Sequence, residues 1–346
     1  MKAHFIGGAW AEGSSSFETR NPSRTDEVVD TYARGGAAEI AAAVEAARAA
    51  APRWAATTPQ QRANVLDAAG TEILARQAEL GRLLAREEGK TLPEALGEVA
   101  RAGQIFRFFA GEALRTAGLR VDSVRPGVEV TTRLEPLGVV GLITPWNFPI
   151  AIPAWKTAPA LAFGNAVVLK PSEVAPGCAW ALAEILSRAG LPEGAFNLVL
   201  GSAEAGKALA EHPRVDGVSF TGSVATGRSV AAACAARLAR FQLEMGGKNP
   251  LVVLDDADLD VAVNAAVQGA FYSTGQRCTA SSRLVVTEGI HDRFVAAMVE
   301  RMKSLKVGDA LAEGVDLGPA VDARQFQKDL AYVDLAKAEE IGRAHV

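Results

Sequence analysis

The sequence is poor in the residues that would support several common functions. Its three cysteines, Cys178, Cys234 and Cys278, are odd in number and widely scattered through 346 residues. That excludes a disulfide framework and points to reduced thiols in a cytoplasmic protein. The four histidines, His4, His212, His291 and His345, are dispersed with no zinc-like Cys/His cluster, so no metal is expected. Charge of one sign is also lacking: 36 Lys and Arg stand against 40 Asp and Glu, with no basic block. A nucleic-acid partner is therefore not expected. The segment Met1–Trp10 has no apolar run of signal-peptide length, and no later run is long enough to span a bilayer. Internal repeats and low-complexity stretches are absent. What remains is 49% hydrophobic and only 22% charged, enough for a large core and two domains.

Residues 1–33 read as short strands and turns around Gly7-Gly8 and Asn21-Pro22. From Ala37 to about Gly118 the pattern is helical, Ala-rich with Leu, Ile and Phe recurring on one face, and breaks are expected at Thr57-Thr58-Pro59 and Lys90-Thr91-Leu92-Pro93. Residues 120–133 turn β-like. Short apolar strands follow at Val139–Ile143, Ala166–Leu169, Phe196–Leu200, Gly217–Phe220 and Phe241–Leu243, with helical stretches at Ala179–Ala189, Ala203–Ala210 and Val224–Leu238. A second set runs from Leu251–Leu254 through the helix Leu259–Phe271 to Leu284–Val286. Strand, helix, strand without hairpin signals predicts an α/β protein built on a parallel, doubly wound sheet.

Cys278 stands in Gly275-Gln276-Arg277-Cys278-Thr279, a glycine-containing turn after an apolar helix, with Arg277 beside it to favour a thiolate. An isolated cysteine is more often a small buried hydrophobe, and Cys178 and Cys234, in Ala-rich helical stretches, keep that reading. A thiolate that forms a thioester needs a base to activate water afterwards. Glu244 ends the strand Phe241–Leu243 and precedes Met245-Gly246-Gly247-Lys248-Asn249-Pro250. A strand-end Glu is usually a solvated charge, but apolar neighbours would raise its pKa toward that of a useful base. In Thr144-Pro145-Trp146-Asn147-Phe148-Pro149, directly after a strand, Asn147 is either a solvent-facing residue of a stiff turn or an oxyanion donor held rigid by prolines and aromatics.

Two segments suggest a dinucleotide. Leu169-Lys170-Pro171-Ser172-Glu173 offers Lys and Glu to ribose hydroxyls or a phosphate, and Phe220-Thr221-Gly222-Ser223 opens a helix whose N-terminus favours phosphate. Ser223 could equally be a plain helix cap. No Gly-x-Gly-x-x-Gly follows any strand.

Together these segments, in this order and spacing, resemble the aldehyde dehydrogenase superfamily from about Phe5 to about Glu340. The resemblance implies an atypical Rossmann-like parallel-sheet cofactor domain, 1–118 and 134–243, and an oligomerisation strand segment, 119–133. It further implies an incomplete α/β catalytic domain, 244–340. Cys278 would be the nucleophile, Glu244 the base for the hydrolytic water, and Asn147 with the Cys278 backbone N–H the oxyanion hole, while Lys156 lines or supports the site. Lys170 and Glu173 would contact the adenosine ribose, Ser223 the pyrophosphate, and Thr144, Pro145, Trp146, Ser172, Phe220, Gly222 and Gly246 the rest of the cofactor. Glu173 should accept a hydrogen bond from a free ribose 2′-hydroxyl and repel a 2′-phosphate, so NAD is expected, with NADP as the alternative.

The presence of Glu244 points to hydrolysis rather than acyl transfer to coenzyme A. Within the family, Pro149–Lys156 and Phe271–Arg283 look like 2-oxoglutarate semialdehyde dehydrogenases of sugar-acid catabolism. One departure is that some relatives binding dicarboxylic semialdehydes place arginine where this chain has Trp155 or Tyr272. Family members continue well past this length and form homodimers or homotetramers. Residues 341–346 do not match the family and coincide with what a common sequencing adapter would encode in one frame, so a non-native tail and a missing C-terminal portion are expected, with poor solubility and little activity. The rival readings are a cofactor-free thiol hydrolase and a non-catalytic nucleotide-binding fragment.

Overall fold

The computed structural model describes residues 1–339; the expected tail, 341–346, lies outside the described residues, as does residue 340. Four strands open the chain: β1 (His4–Ile6), β2 (Ala9–Ala11), β3 (Ser15–Asn21) and β4 (Arg24–Arg34). Gly7 and Gly8, at φ of 63° and 90°, turn β1 into the antiparallel β2. Four helices follow, α1 (Ala37–Ala55), α2 (Pro59–Ala75), α3 (Gln77–Glu88) and α4 (Leu92–Ala113).

Two of the helix breaks stand where the sequence predicts them. Thr58 caps α2 by accepting from Gln61 N, with Pro59 at the first helical position, and Gly89 at φ 94° separates α3 from α4. A third break, at Arg76, carries neither glycine nor proline, and the sequence pattern does not predict it. The Arg76 guanidinium lies 2.6 Å from Glu79 and 3.0 Å from Glu184, so a partner 108 residues away helps hold the break in place. Residues 120–131 form an exposed antiparallel hairpin, β5 (Arg120–Asp122) with β6 (Glu129–Thr131).

The remaining elements of the large sheet alternate: β7 (Val139–Ile143), α5 (Ala151–Ala162), β8 (Ala166–Lys170), α6 (Gly177–Arg188), β9 (Phe196–Leu198), α7 (Ala203–Glu211), β10 (Gly217–Gly222), α8 (Val224–Ala236) and β11 (Arg240–Met245). The seven strands lie in the order β11-β10-β7-β8-β9-β1-β2, with β7 to β11 mutually parallel and β1 antiparallel on β9. Every residue of β7 and β8 is buried, as a central strand covered on both faces requires. Helices α1, α7 and α8 pack on one face, where Ile40, Val44, Val168, Leu209, Val218 and Phe220 join one core. On the other, α5 packs on β7 and β8, α6 on β9, and α2 on both helices.

The path steps outward from β7 to β8 and β9, then returns to place β10 on the other side of β7. The connections leaving β7 and β10 therefore diverge, which makes the carboxyl ends of these two strands a switch point suited to a ligand.

The chain continues with β12 (Asn249–Val253), α9 (Leu259–Phe271), β13 (Ser281–Val286), α10 (Glu288–Lys303) and α11 (Ala323–Ala338). β12 and β13 pair in parallel, and Val253, Val263, Val267, Ile290 and Phe294 form their core. Contacts divide the chain into two compact units: 1–19, 30–84 and 95–246, and separately 20–29, 85–94 and 247–346. Segments 20–29 and 85–94, which the sequence reading places with the cofactor domain, thus group with the second unit. Ala310 N donates to Ser23 Oγ at 3.0 Å, and Leu92 N to Ala310 O at 2.9 Å. Among the described residues no helix is long and apolar enough to cross a membrane.

Candidate active site

Side chains alternate along β10 and β11, and the alternation sorts them by chemistry. Val218, Phe220, Leu243 and Met245 pack into the core, whereas Ser219 and Thr221 oppose Gln242 and Glu244 in register on the other face. Lys156, from α5, reaches this polar row and donates to Ser219 Oγ at 2.7 Å and Gln242 Oε1 at 3.2 Å. Burial pushes its ammonium down to about 8, and the Glu244 charge opposes that shift. Lys156 and Glu244, with Trp155, Asn165, Ser219 and Thr221, line one cavity of about 470 Å³. Glu244 itself is exposed, because β11 is the edge strand. Among the described residues it therefore lacks the apolar enclosure expected from its sequence neighbours.

At the carboxyl ends of the strands, Thr144 follows β7. It is 3% exposed, and its Oγ1 has no hydrogen-bond partner among the described residues. Its amide donates to Lys170 O at 3.2 Å. Pro145, Trp146 and Asn147 are half-buried, and the far end of their loop is fixed by Glu98, whose Oε1 accepts from Ile150 N and Ala151 N at 3.0 and 3.1 Å. Lys170 ends β8, and its Nζ donates to Gly201 O at 3.3 Å. Burial lowers this ammonium to about 8 as well, with Glu173 opposing.

Ser172 Oγ accepts from Val174 N at 3.2 Å, and the Glu173 carboxylate accepts from Arg34 at 3.2 Å. Ser223 caps α8 by accepting from Thr226 N, so the plain capping role is realised. The Phe220 side chain is 2% exposed and belongs to the core, because its strand position faces the helices. A Cβ at Gly222 would fall 2.6 Å from its ring, so glycine lets the strand end pass this ring. The Cβ position at Gly246 meets nothing within 4 Å.

In the second unit Cys278 is half-buried, whereas Cys178 and Cys234, both in the first, are fully buried. Asn249 Nδ2 donates to Cys278 O at 2.7 Å and to Ala280 O at 3.2 Å, which fixes the backbone on both sides of Thr279. Arg277 has a different role from the one the sequence suggests. Its Nη2 donates to Gln268 O and Gly269 O at 2.6 and 2.7 Å, so the guanidinium serves the C-terminal carbonyls of α9. Sequence reasoning missed Arg34, Glu98, Asn249, Ser219 and Gln242. The last two were legible in principle, from the alternation of polar and apolar residues along two neighbouring strands.

The sequence model of the aldehyde dehydrogenase family matches residues 10–343. The chain belongs to the aldehyde dehydrogenase family. An alpha-ketoglutaric semialdehyde dehydrogenase of Bacillus subtilis strain 168 is 43% identical to it over 340 residues, covering 97% of this chain and 70% of that protein. The solved structure of Staphylococcus aureus betaine aldehyde dehydrogenase in complex with NAD+ superimposes with a TM-score of 0.96 at 36% identity, over 98% of this chain and 68% of that one. An E. coli NADP-dependent enzyme of solved structure gives 0.95 at 38% identity, over 98% and 71%. The aldehyde dehydrogenase fold and the α/β architecture expected from the motifs are thus shown.

Proposed function

We propose that this family member oxidises a semialdehyde, of the 2-oxoglutarate semialdehyde type, to the carboxylic acid with NAD as acceptor. The observation that carries the reading is the presence of Cys278, Glu244 and Asn147 together in a chain that the family model matches over residues 10–343. The semialdehyde rests on the relative from Bacillus subtilis, and NAD on the complex from Staphylococcus aureus.

The residues at the carboxyl ends of β7, β8 and β10 fit a dinucleotide. Thr144 brings a buried hydroxyl without a partner among the described residues, Lys170 and Glu173 suit ribose hydroxyls, and the N-terminus of α8 with Ser223 suits a pyrophosphate. Bound there, NAD supplies the hydride acceptor.

The Cys278 sulfur adds to the aldehyde carbon, while the Asn147 amide and the Cys278 backbone N–H donate to the oxygen as it gains charge. After oxidation the acyl group is held as a thioester on the same sulfur. Glu244 takes a proton from water, the hydroxide adds to the acyl carbon, and the carboxylic acid leaves as the thiol is restored. Lys156, on the cavity that Glu244 also lines, sets the local charge. The exposed hairpin of β5 and β6 serves oligomerisation, into a homodimer or homotetramer.

Reduced-nicotinamide absorbance with a panel of semialdehydes tests the reading. With the C-terminal portion expected above restored, wild type should generate signal and Cys278→Ser none. A folded chain that binds NAD yet oxidises no aldehyde would overturn it.

A further inference from the structure

The chain reverses just before Cys278 through a strained backbone. Ser273, Thr274 and Gly275 have φ of 54°, 55° and 65°, a left-handed run in which only the last residue is glycine. Side chains of L-residues crowd the backbone in this region, and Thr274 is branched at Cβ besides. Such a turn persists only where its surroundings hold it.

The groups that hold it can be named. Glu94 Oε1 accepts from Ser273 N at 2.7 Å and from Ser273 Oγ at 3.1 Å. Thr274 Oγ1 donates to Gly318 O at 3.0 Å, and Gln276 Oε1 accepts from Val321 N at 3.0 Å. Past the turn, Arg277 N donates to Gly275 O at 2.8 Å, and Asn249 holds the Cys278 carbonyl.

Glu94 lies in the first turn of α4, and its Oε2 accepts from Thr91 N at 3.3 Å and Thr91 Oγ1 at 3.0 Å. That half of the carboxylate is ordinary helix capping. The other half does nothing for the helix. It brings a charged acceptor from 179 residues away onto the first left-handed residue, which is 7% exposed and so largely shielded from competing water.

We infer that Glu94 is a positioning residue for Cys278: its carboxylate locks the left-handed turn Ser273–Gly275 and so sets the placement and reactivity of the sulfur that follows. This rests on the reading of Cys278 as the nucleophile. Glu94 takes no part in bond making.

The test is the rate at which iodoacetamide alkylates each cysteine of the whole chain across a pH series, resolved by peptide mass spectrometry. Cys178 and Cys234, both fully buried, report general unfolding. Glu94→Ala should slow alkylation of Cys278 about tenfold, within the range that small misplacement of a reacting group produces, with the buried pair still protected. Glu94→Gln keeps an oxygen for Ser273 and should restore most of the rate. Thr91→Ala removes a capping bond and should leave the rate near wild type. Ser273→Ala, which removes one of the two bonds and spares the α4 cap, should give a smaller slowing and decides the matter if Glu94→Ala unfolds.

The inference is overturned if neither Glu94→Ala nor Ser273→Ala slows Cys278, if Thr91→Ala matches Glu94→Ala, or if all three cysteines become labelled together. Nicotinamide reduction is read separately. A chain with the expected labelling but no aldehyde oxidation would sink the catalytic reading and leave the positioning role standing.

Discussion

Arg34 Nη1 lies 3.2 Å from Glu173 Oε2, joining the end of β4 to the segment after β8. Arg34 also stacks over Phe17, with 4.9 Å to the ring centroid, so the guanidinium holds Glu173 from a supported position.

This pair bears on cofactor choice. Glu173 suits a free 2′-hydroxyl, while Arg34 could answer a 2′-phosphate if the carboxylate were neutralised. Titration calorimetry should show NAD binding more tightly than NADP. Glu173→Gln should shift the ratio toward NADP by about tenfold, the equivalent of one strong charge-assisted contact. Wild type binding NADP more tightly would remove Glu173 from the cofactor site.

Lys156 and Lys170 predict how stability depends on pH. Both have folded-state values near 8 against an ordinary value of 10.5, lowered chiefly by burial. Between those limits the unfolded chain binds more protons than the folded one, so stability rises with pH from about 8 to 10.5 and is lost again as pH falls through 8. The rise should be on the order of 3 kcal/mol per lysine. Urea denaturation at several pH values should show it for wild type, and Lys156→Met should roughly halve it, leaving the share of Lys170. An unchanged slope in that variant would refute the assignment.

Asn147 and Glu244 should fail at different stages. Asn147→Ala removes the proposed oxyanion donor and should lower kcat by about a hundredfold without abolishing nicotinamide binding. Glu244→Gln should leave a rapid first turnover and slow the steady state, because the thioester then waits for unactivated water. Stopped-flow absorbance distinguishes the two, and a Glu244→Gln variant without a burst would contradict the role given to that carboxylate.

The β5–β6 hairpin exposes Val121 and Val130, which are paired directly across its strands. Val121→Asp with Val130→Asp should reduce the mass measured by light scattering if the hairpin joins copies of the chain. An unaltered oligomer would assign the interface elsewhere.

Much of the fold was legible because its signals are local. The apolar runs at Val139–Ile143 and Ala166–Leu169 are long enough to be buried strands, and Asp258 before Leu259–Phe271 caps the helix predicted there. Boundaries moved where a polar residue extends a strand, as at Thr221 and Glu244. The local pattern gave no warning of the break at Arg76.

The amino-acid order alone determined which groups are the candidates for chemistry: Cys278 after its glycine turn, Glu244 at a strand end, and Asn147 in a stiff loop. These stand out because each sits among neighbours adjacent in sequence. Only the tertiary structure decided how the groups are held: Lys156 on Ser219 and Gln242, Glu173 on Arg34, Arg277 on the end of α9, and Glu94 on Ser273. Apart from Arg277, whose partners are near in sequence but were hidden by the shape of its turn, those partners lie 63 to 179 residues away. A hydrogen bond depends on a few ångströms of separation in space, and no local periodicity encodes a distance of that kind.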